Sequence, residues 1–375
     1  MTVGCLYLSV QIASAQTWTQ TSADLRSWVA IAASADGTRL VAAANAIWAS
    51  TNSGATWQQV NALNPTWRSL AASADGTRVV AATGNGIYTS TDSGATWVTN
   101  NVAGGIWYSA ASSADGSKLA AVRFSNLVYL STNGGALWTS NVTTTADLSC
   151  IVSSADGTRL TAANNVGHAI ISTNSGLTWA LAGSLGGGVH SLAASTDGER
   201  LVAVASVGPG PSVFTSTNGG NTWATNGVPA RSDWIACASS ADGTKLVALG
   251  IKGVIFTSTN SGAIWTSNTV SSLAWQAAAI SADGNEVVAV VNSPSGGIWI
   301  SQSTPTPQLN LAPSGSNLAL SWLMPSTNFV LQQKEDLTAD WVTLTNTPAL
   351  NLANLHDEVA LSPTNSSGFF RLISQ

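Results

Sequence analysis

Among residues 16–303, three Asp residues stand outside the repeating pattern: Asp24, Asp147 and Asp233. Each shortly precedes a β-rich run, opened by Trp28, Leu148 and Trp234. Two carboxylates flanking a glycosidic bond suffice for glycoside hydrolysis, one protonating the leaving group and the other activating water or attacking. Acids at such places also serve as strand-flanking turn residues. A second set shares one register position, directly after the residue that opens an inner strand. Arg68, Tyr108, His190 and Gln276 occupy it, and Val29, Ser149 and Ile235 fill it elsewhere. A repeated place whose side chain varies from repeat to repeat suits ligand contact. With the three acids, Arg68, Tyr108, His190 and Gln276 form the candidate ligand-binding set, and no catalytic residue is assigned. Nearby loops add Arg26, Arg123, Arg231, His168 and Lys252. His168, His190 and His356 lack any metal-ligand spacing, so neither metal nor cofactor is expected.

The elements that would position these residues repeat. Ser50-Thr51-Asn52-Ser53-Gly54-Ala55-Thr56-Trp57 recurs as Ser90–Trp97, Ser131–Trp138, Ser172–Trp179, Ser216–Trp223 and Ser258–Trp265. A spacing of about 40 residues marks a repeat array. Asn or Asp at the third place bonds nearby backbone, and Gly at the fifth tolerates positive φ. The closing Trp offers a large packing surface. A second signature, Ser-(Ala/Thr)-Asp-Gly, carries Asp36, Asp75, Asp115, Asp156, Asp197, Asp242 and Asp283. Asp-Gly between apolar runs predicts a hairpin. Each repeat therefore reads as four strands, as in Trp67–Ser73, Thr77–Thr83, Gly86–Thr91 and Trp97–Asn101. Arg39, Arg78, Lys118, Arg159, Arg200 and Lys245 follow the turn Asp by three residues and read as solvated hairpin positions. The seventh repeat loses its octapeptide at Gln302–Pro305, whereas Trp18-Thr19 resembles the runs that follow the other octapeptides. Trp18–Thr21 is thus expected to supply the missing fourth strand and close a seven-bladed ring.

The octapeptide resembles the Asp-box, or BNR repeat, of sialidase-type propellers, a family that also includes sortilin-like receptors, some xyloglucanases and photosystem assembly factors. The resemblance covers residues 16 to about 303. It implies an all-β fold, a seven-bladed β-propeller, with boxes on the face away from the active site. A sialidase-like hydrolase would need three Arg residues, which Arg68, Arg123 and Arg231 could supply, and a Tyr nucleophile, for which Tyr108 is spare. It would also need a Glu partner. Glu199 and Glu286, the Glu residues of residues 16–303, fall at or beside turns on the other face, and the family's Arg-Ile-Pro signature is absent. The Arg-rich patch expected of an assembly factor is absent as well.

Charged residues make up 8% of the chain, and the net charge is −5 with no basic cluster, which gives nucleic-acid binding no electrostatic support. No run reaches transmembrane length. Residues 1–15 read as a secretion signal: Val3–Ile12 is mainly apolar and Ala13-Ser14-Ala15 is a small-x-small cleavage site. Cys150 and Cys237 would face opposite ways and stay unpaired. The domains are then 1–15 signal, 16–303 propeller and 304–375 a small β-sandwich. The last follows the stiff linker Thr304-Pro305-Thr306-Pro307. Its ending Gly368-Phe369-Phe370-Arg371-Leu372 resembles C-terminal fibronectin-III-like modules of secreted bacterial proteins. The expected protein is a secreted or cell-surface monomer that binds a glycan or a protein without catalysis. The alternative is a glycoside hydrolase, sialidase-like or using two carboxylates.

Overall fold

The computed structural model describes residues 18–61, 65–100, 102, 104–142, 147–206, 213–225, 228, 233–269, 273–302 and most of 309–374. The expected signal at 1–15 and the linker at 304–307 lie outside the described residues. Every described regular element is a β-strand. No described helix is long and apolar enough to cross a membrane.

Residues 18–302 form seven antiparallel four-stranded sheets. Six take their four strands in chain order, and sheet two (Trp67–Ala72, Val79–Thr83, Ile87–Ser90, Val98–Thr99) is representative. The Asp-Gly turn joins the first two strands and the octapeptide joins the last two. The seventh sheet combines Trp275–Ile280, Glu286–Val291 and Ile298–Gln302 with Trp18–Gln20, where Trp18 lies opposite Ser301. The chain that follows stays attached to the same sheet. Thr21 N–H donates to Ile298 O, Arg26 N–H to Gly296 O and Trp28 N–H to Val291 O. Residues 309–374 add a four-stranded and a three-stranded sheet, with Leu320, Trp322, Leu331 and Val359 buried between their strands.

All six octapeptides share the Ser and Asn/Asp bonds of one turn, and four of them add a Trp bond that Trp223 and Trp265 lack. Ser50 Oγ accepts from Gly54 N–H at 2.9 Å, Asn52 Oδ1 accepts from Thr56 N–H at 2.9 Å, and Trp57 Nε1–H donates to Gly54 O at 3.1 Å. Ser53 and Gly54 both hold positive φ, at 51° and 76°. The Trp so anchored tilts onto the first-strand Trp, with ring centroids 5.4 Å apart for Trp97 and Trp67. Trp18 takes the same role in the seventh sheet, 5.9 Å from Trp275. These rings and the flanking Val, Ala, Leu and Ile residues form cores shared between successive sheets.

At one end the seven Asp-Gly turns are joined by backbone. Ala35 N–H donates to Ala74 O, Ala74 to Ala114, Ala114 to Ala155, Ala155 to Thr196, Thr196 to Ala241, Ala241 to Ala282, and Ala282 back to Ala35. Each of these bonds is 2.7 or 2.8 Å long, and together they form an unbroken cycle. The alanine methyls gather inside it. Beneath each turn a buried Ser bridges its mouth: Ser113 Oγ accepts Lys118 N–H and donates to Asp115. Burial pushes the Asp115 carboxyl up, but hydrogen bonds from Ser113, Ser117 and backbone outweigh it and leave it at about 2.

The cations after these turns do more than meet solvent. Their stems cross to the next sheet and lie over its turn glycine: Arg39 over Gly76, Arg78 over Gly116, Lys118 over Gly157, and so on to Lys245 over Gly284. The heads of Arg39, Lys118 and Arg200 reach the neighbouring octapeptide, as when Arg200 Nη1–H donates to Ser261 Oγ at 2.9 Å. A Cβ at Gly116 would lie 2.5 Å from Arg78 Cδ, at a φ of +69°. Gly116→Ala is therefore expected to destabilise by about 1–3 kcal/mol in urea unfolding. Gly104→Ala, where nothing lies within 4 Å, should change stability by less than about 0.5 kcal/mol. Equal effects would contradict the packing.

Candidate functional site

The first strand of every sheet faces a central channel, and the channel is asymmetric. At the turn end the alanine ring narrows it to a space of about 190 Å³ lined by Ser and Ala. At the opposite end it widens into a mouth of about 710 Å³. Loops between second and third strands contribute Phe124 and Asn165 to that mouth, and the second-strand end contributes Ser206.

The geometry that turns side chains into the mouth is a bulge. In six sheets the register of the first strand slips at the same place: between Trp67 and Ser69, Trp107 and Ser109, Leu148 and Cys150, Val189 and Ser191, Trp234 and Ala236, and Trp275 and Ala277. The skipped residues are Arg68, Tyr108, Ser149, His190, Ile235 and Gln276. A bulged residue has no ladder partner, and its side chain is re-aimed. The preceding Trp stays buried between sheets while the bulged residue is free to meet a ligand. The first sheet lacks the slip, because Trp28 and Ser27 pair with Val291 and Asn292 of the seventh sheet instead.

Arg68, Tyr108, His190 and Gln276 come together around the mouth, with Val29 and Ser149. Ile235 lines the channel below. The Arg68 guanidinium lies 5.0 Å from the Tyr108 ring centroid, and Phe124 lies 5.9 Å from the same ring. Phe124 is half exposed, at 51%. Gln276 Oε1 accepts from Asn292 Nδ2 at 3.3 Å. Ser149 Oγ is committed to structure, donating to Val189 O of the next sheet at 2.8 Å. His190 Nε2 pairs with Ser206 Oγ, and burial holds its imidazole below its ordinary value.

The three acids are not brought together there. Asp24 is salt-bridged to Arg26 at 2.9 Å. Asp147 sits at a φ of 60°, and its carbonyl accepts from Asn165 N–H. The Asp233 carbonyl accepts from Ile251 N–H at 2.8 Å. None of them lines the mouth or channel, and no carboxylate does among the described residues. Of Arg68, Arg123 and Arg231, two are among the described residues, and of these Arg68 lines the mouth and Arg123 does not. Arg123 lies over Tyr129 at 5.3 Å with Nη1–H on Gly104 O, and Arg231 lies outside the described residues. Lys252 and His168 are exposed elsewhere. Cys150 and Cys237 are free and buried, and burial pushes both thiols up to about 12, so neither serves as a nucleophile. No group of three or more His, Cys, Asp or Glu among the described residues is placed to hold a metal ion.

The fold matches a solved structure, YCF48 from Cyanidioschyzon merolae, with a TM-score of 0.58. That protein is itself a propeller. This chain is a β-propeller. The match covers 77% of this chain and 98% of that one at 12% identity, a likeness of fold. No family model and no curated protein matches the chain.

His190 supplies a direct check on the mouth. Its ring should titrate below 6.5, followed by proton NMR, and stay neutral at pH 7. A midpoint at or above 6.5 would contradict the lowered value.

Proposed function

We propose that the protein is a non-enzymatic binding propeller that takes a glycan or a protein segment at the wide mouth of its channel. The observation that carries this reading is the composition of the mouth. It offers a guanidinium, a phenol, an imidazole, two carboxamides and two aromatic faces, with no carboxylate among the described residues that line it. Such a surface can stack and hydrogen-bond a polar ligand. It supplies no acid–base pair for cutting one. The separation of Asp24, Asp147 and Asp233 from the mouth leaves a two-carboxylate hydrolase without its apparatus there.

The wider reading rests on the same features. The seven sheets are the blades of one ring, and the strand Trp18–Gln20 completes the seventh; the Trp18–Trp275 contact and the turn cycle support this. The octapeptides read as Asp-boxes, supported by their residues and by the Ser–Gly bond that all six share. Residues 16–303 form the propeller. Residues 304–375 form a separate fibronectin-III-like module, supported by two small sheets with their own buried cluster. The apolar run and cleavage-like Ala13-Ser14-Ala15 support secretion of residues 16–375 as a monomer to the cell surface or beyond.

The test is a glycan array probed with residues 16–375, with released sugar assayed in the same wells. Binding without release is expected, and Arg68→Ala should weaken it by about 10- to 100-fold, the loss of a charged hydrogen bond. Sugar release would overturn the non-enzymatic reading. Silence on the array would remove the glycan and leave a protein partner.

A further inference from the structure

At six junctions between sheets, a cation from one turn lies over the glycine of the next turn. Where that cation senses the next turn's carboxylate, the effect is attractive: Arg39 lowers Asp75 and Lys118 lowers Asp156. Lys245 is itself favoured as a cation by Asp283. The seventh junction, between the last sheet and the first, has Glu286 in that place. Its carboxyl carbon is 3.0 Å from where a Cβ of Gly37 would stand, the same overlap that the cations make elsewhere. The side chain is 6% exposed. Oε2 accepts from Gln302 Nε2 at 3.0 Å, while Oε1 is buried with no hydrogen-bond partner.

The surroundings of Glu286 are acidic. Asp36 faces it from the first sheet's turn and Asp283 from its own, and both repel its charge, while Ser53 of the first octapeptide favours the charge. Lys245 lies against Gly284 and Asn285, beyond Asp283. Arg39 follows Asp36 but points onward, with Nη1 on Ser93 of the next octapeptide. No cation therefore answers Glu286 among these groups. Burial first, then the two acids, push its carboxyl up to about 7.

We propose that Glu286 is a proton-operated latch at the junction between the last and first sheets. Protonated, it fills the seat of the missing cation as a neutral group. Ionised, it stands buried between two carboxylates and loosens this one junction. The sign follows from linkage. A carboxyl raised in the folded state adds stability that is complete below its unfolded value, near 4.5, and is lost as pH rises through the folded value. Five turn aspartates run the other way: Asp75, Asp115, Asp156, Asp197 and Asp242 are lowered, so their stability is lost only in acid, below about 4, whereas Asp283, raised by its burial, runs with Glu286. The two effects separate on the pH axis.

The experiment is a set of thermal melts from about pH 5 to 8.5 on the whole chain, wild type against Glu286→Gln and Glu286→Lys. The wild-type melting temperature should fall across that range. Glu286→Gln should fall less than wild type across that range and exceed it at the alkaline end, since Asp283 and the histidines give both proteins the same remaining slope. Glu286→Lys restores the cation found at the other six junctions, and it should exceed wild type there as well. Over the same range the folded-to-unfolded ratio of the wild type should drop by on the order of 100-fold relative to Glu286→Gln. Parallel curves for wild type and Glu286→Gln would overturn the latch, leaving Glu286 a packing residue. A carbon-13 titration of the wild-type Glu286 carboxyl decides independently of how the variants fold. A midpoint near neutrality is expected, and one at or below 4.5 would also overturn it.

Discussion

The structure hangs on a cycle of backbone hydrogen bonds. The first strand of each sheet is an edge, and an unpaired edge leaves peptide groups that must be satisfied. At the narrow end the seven Asp-Gly turns satisfy one another, each N–H bonding the carbonyl of the next turn and the last returning to the first. Only a small residue fits the middle of such a turn, and it is Ala in six turns and Thr196 in the other. Several consequences follow from that geometry. The turns converge and the opposite end flares, so there is one narrow end and one wide mouth. The turn glycines pass under side chains of the preceding sheet, which forces positive φ and excludes a Cβ. The sheets splay outward, and their large aromatics fill the widening space between them.

Much of the scaffold was readable in advance because its punctuation is chemical. Asp-Gly demands a tight hairpin, and an octapeptide with Ser, Asn and Gly at fixed places can close only one kind of turn. The aromatic register was also legible, since Trp67, Tyr88 and Trp97 fall at fixed distances from those marks. What escaped was anything that depends on two segments meeting. The bulge at Arg68, Tyr108 and His190 has no signature in Trp-Arg-Ser or Trp-Tyr-Ser, because a skipped residue shows only against its partner strand. The stems of Arg39 and Arg78 looked solvated because the glycine beneath each belongs to the next repeat. Glu286 looked like a turn residue on the far face, and its burial beside Asp36 comes from bringing the ends of the chain together.

The bulge also explains how a repetitive fold can hold an individual site. Each sheet needs its first-strand Trp, Leu or Val for packing, and the alternation of a strand would fix the next residue with it. Inserting one unpaired residue frees that position from the core and from the ladder. It can then be Arg, Tyr, His or Gln without disturbing a neighbour. Asp24, Asp147 and Asp233 take no part because they lie before the first strand, where the chain is still turning into it.

The cycle of turns is closed and shared by all seven sheets. Amide hydrogen exchange at mildly acidic pH, where the seventh junction is protonated, tests it at seven sites in one experiment. Ala35, Ala74, Ala114, Ala155, Thr196, Ala241 and Ala282 should exchange together, at the rate set by unfolding of the whole propeller. Rapid exchange confined to Ala282, while the other amides stay protected, would show a ring open at the junction of its first and last sheets.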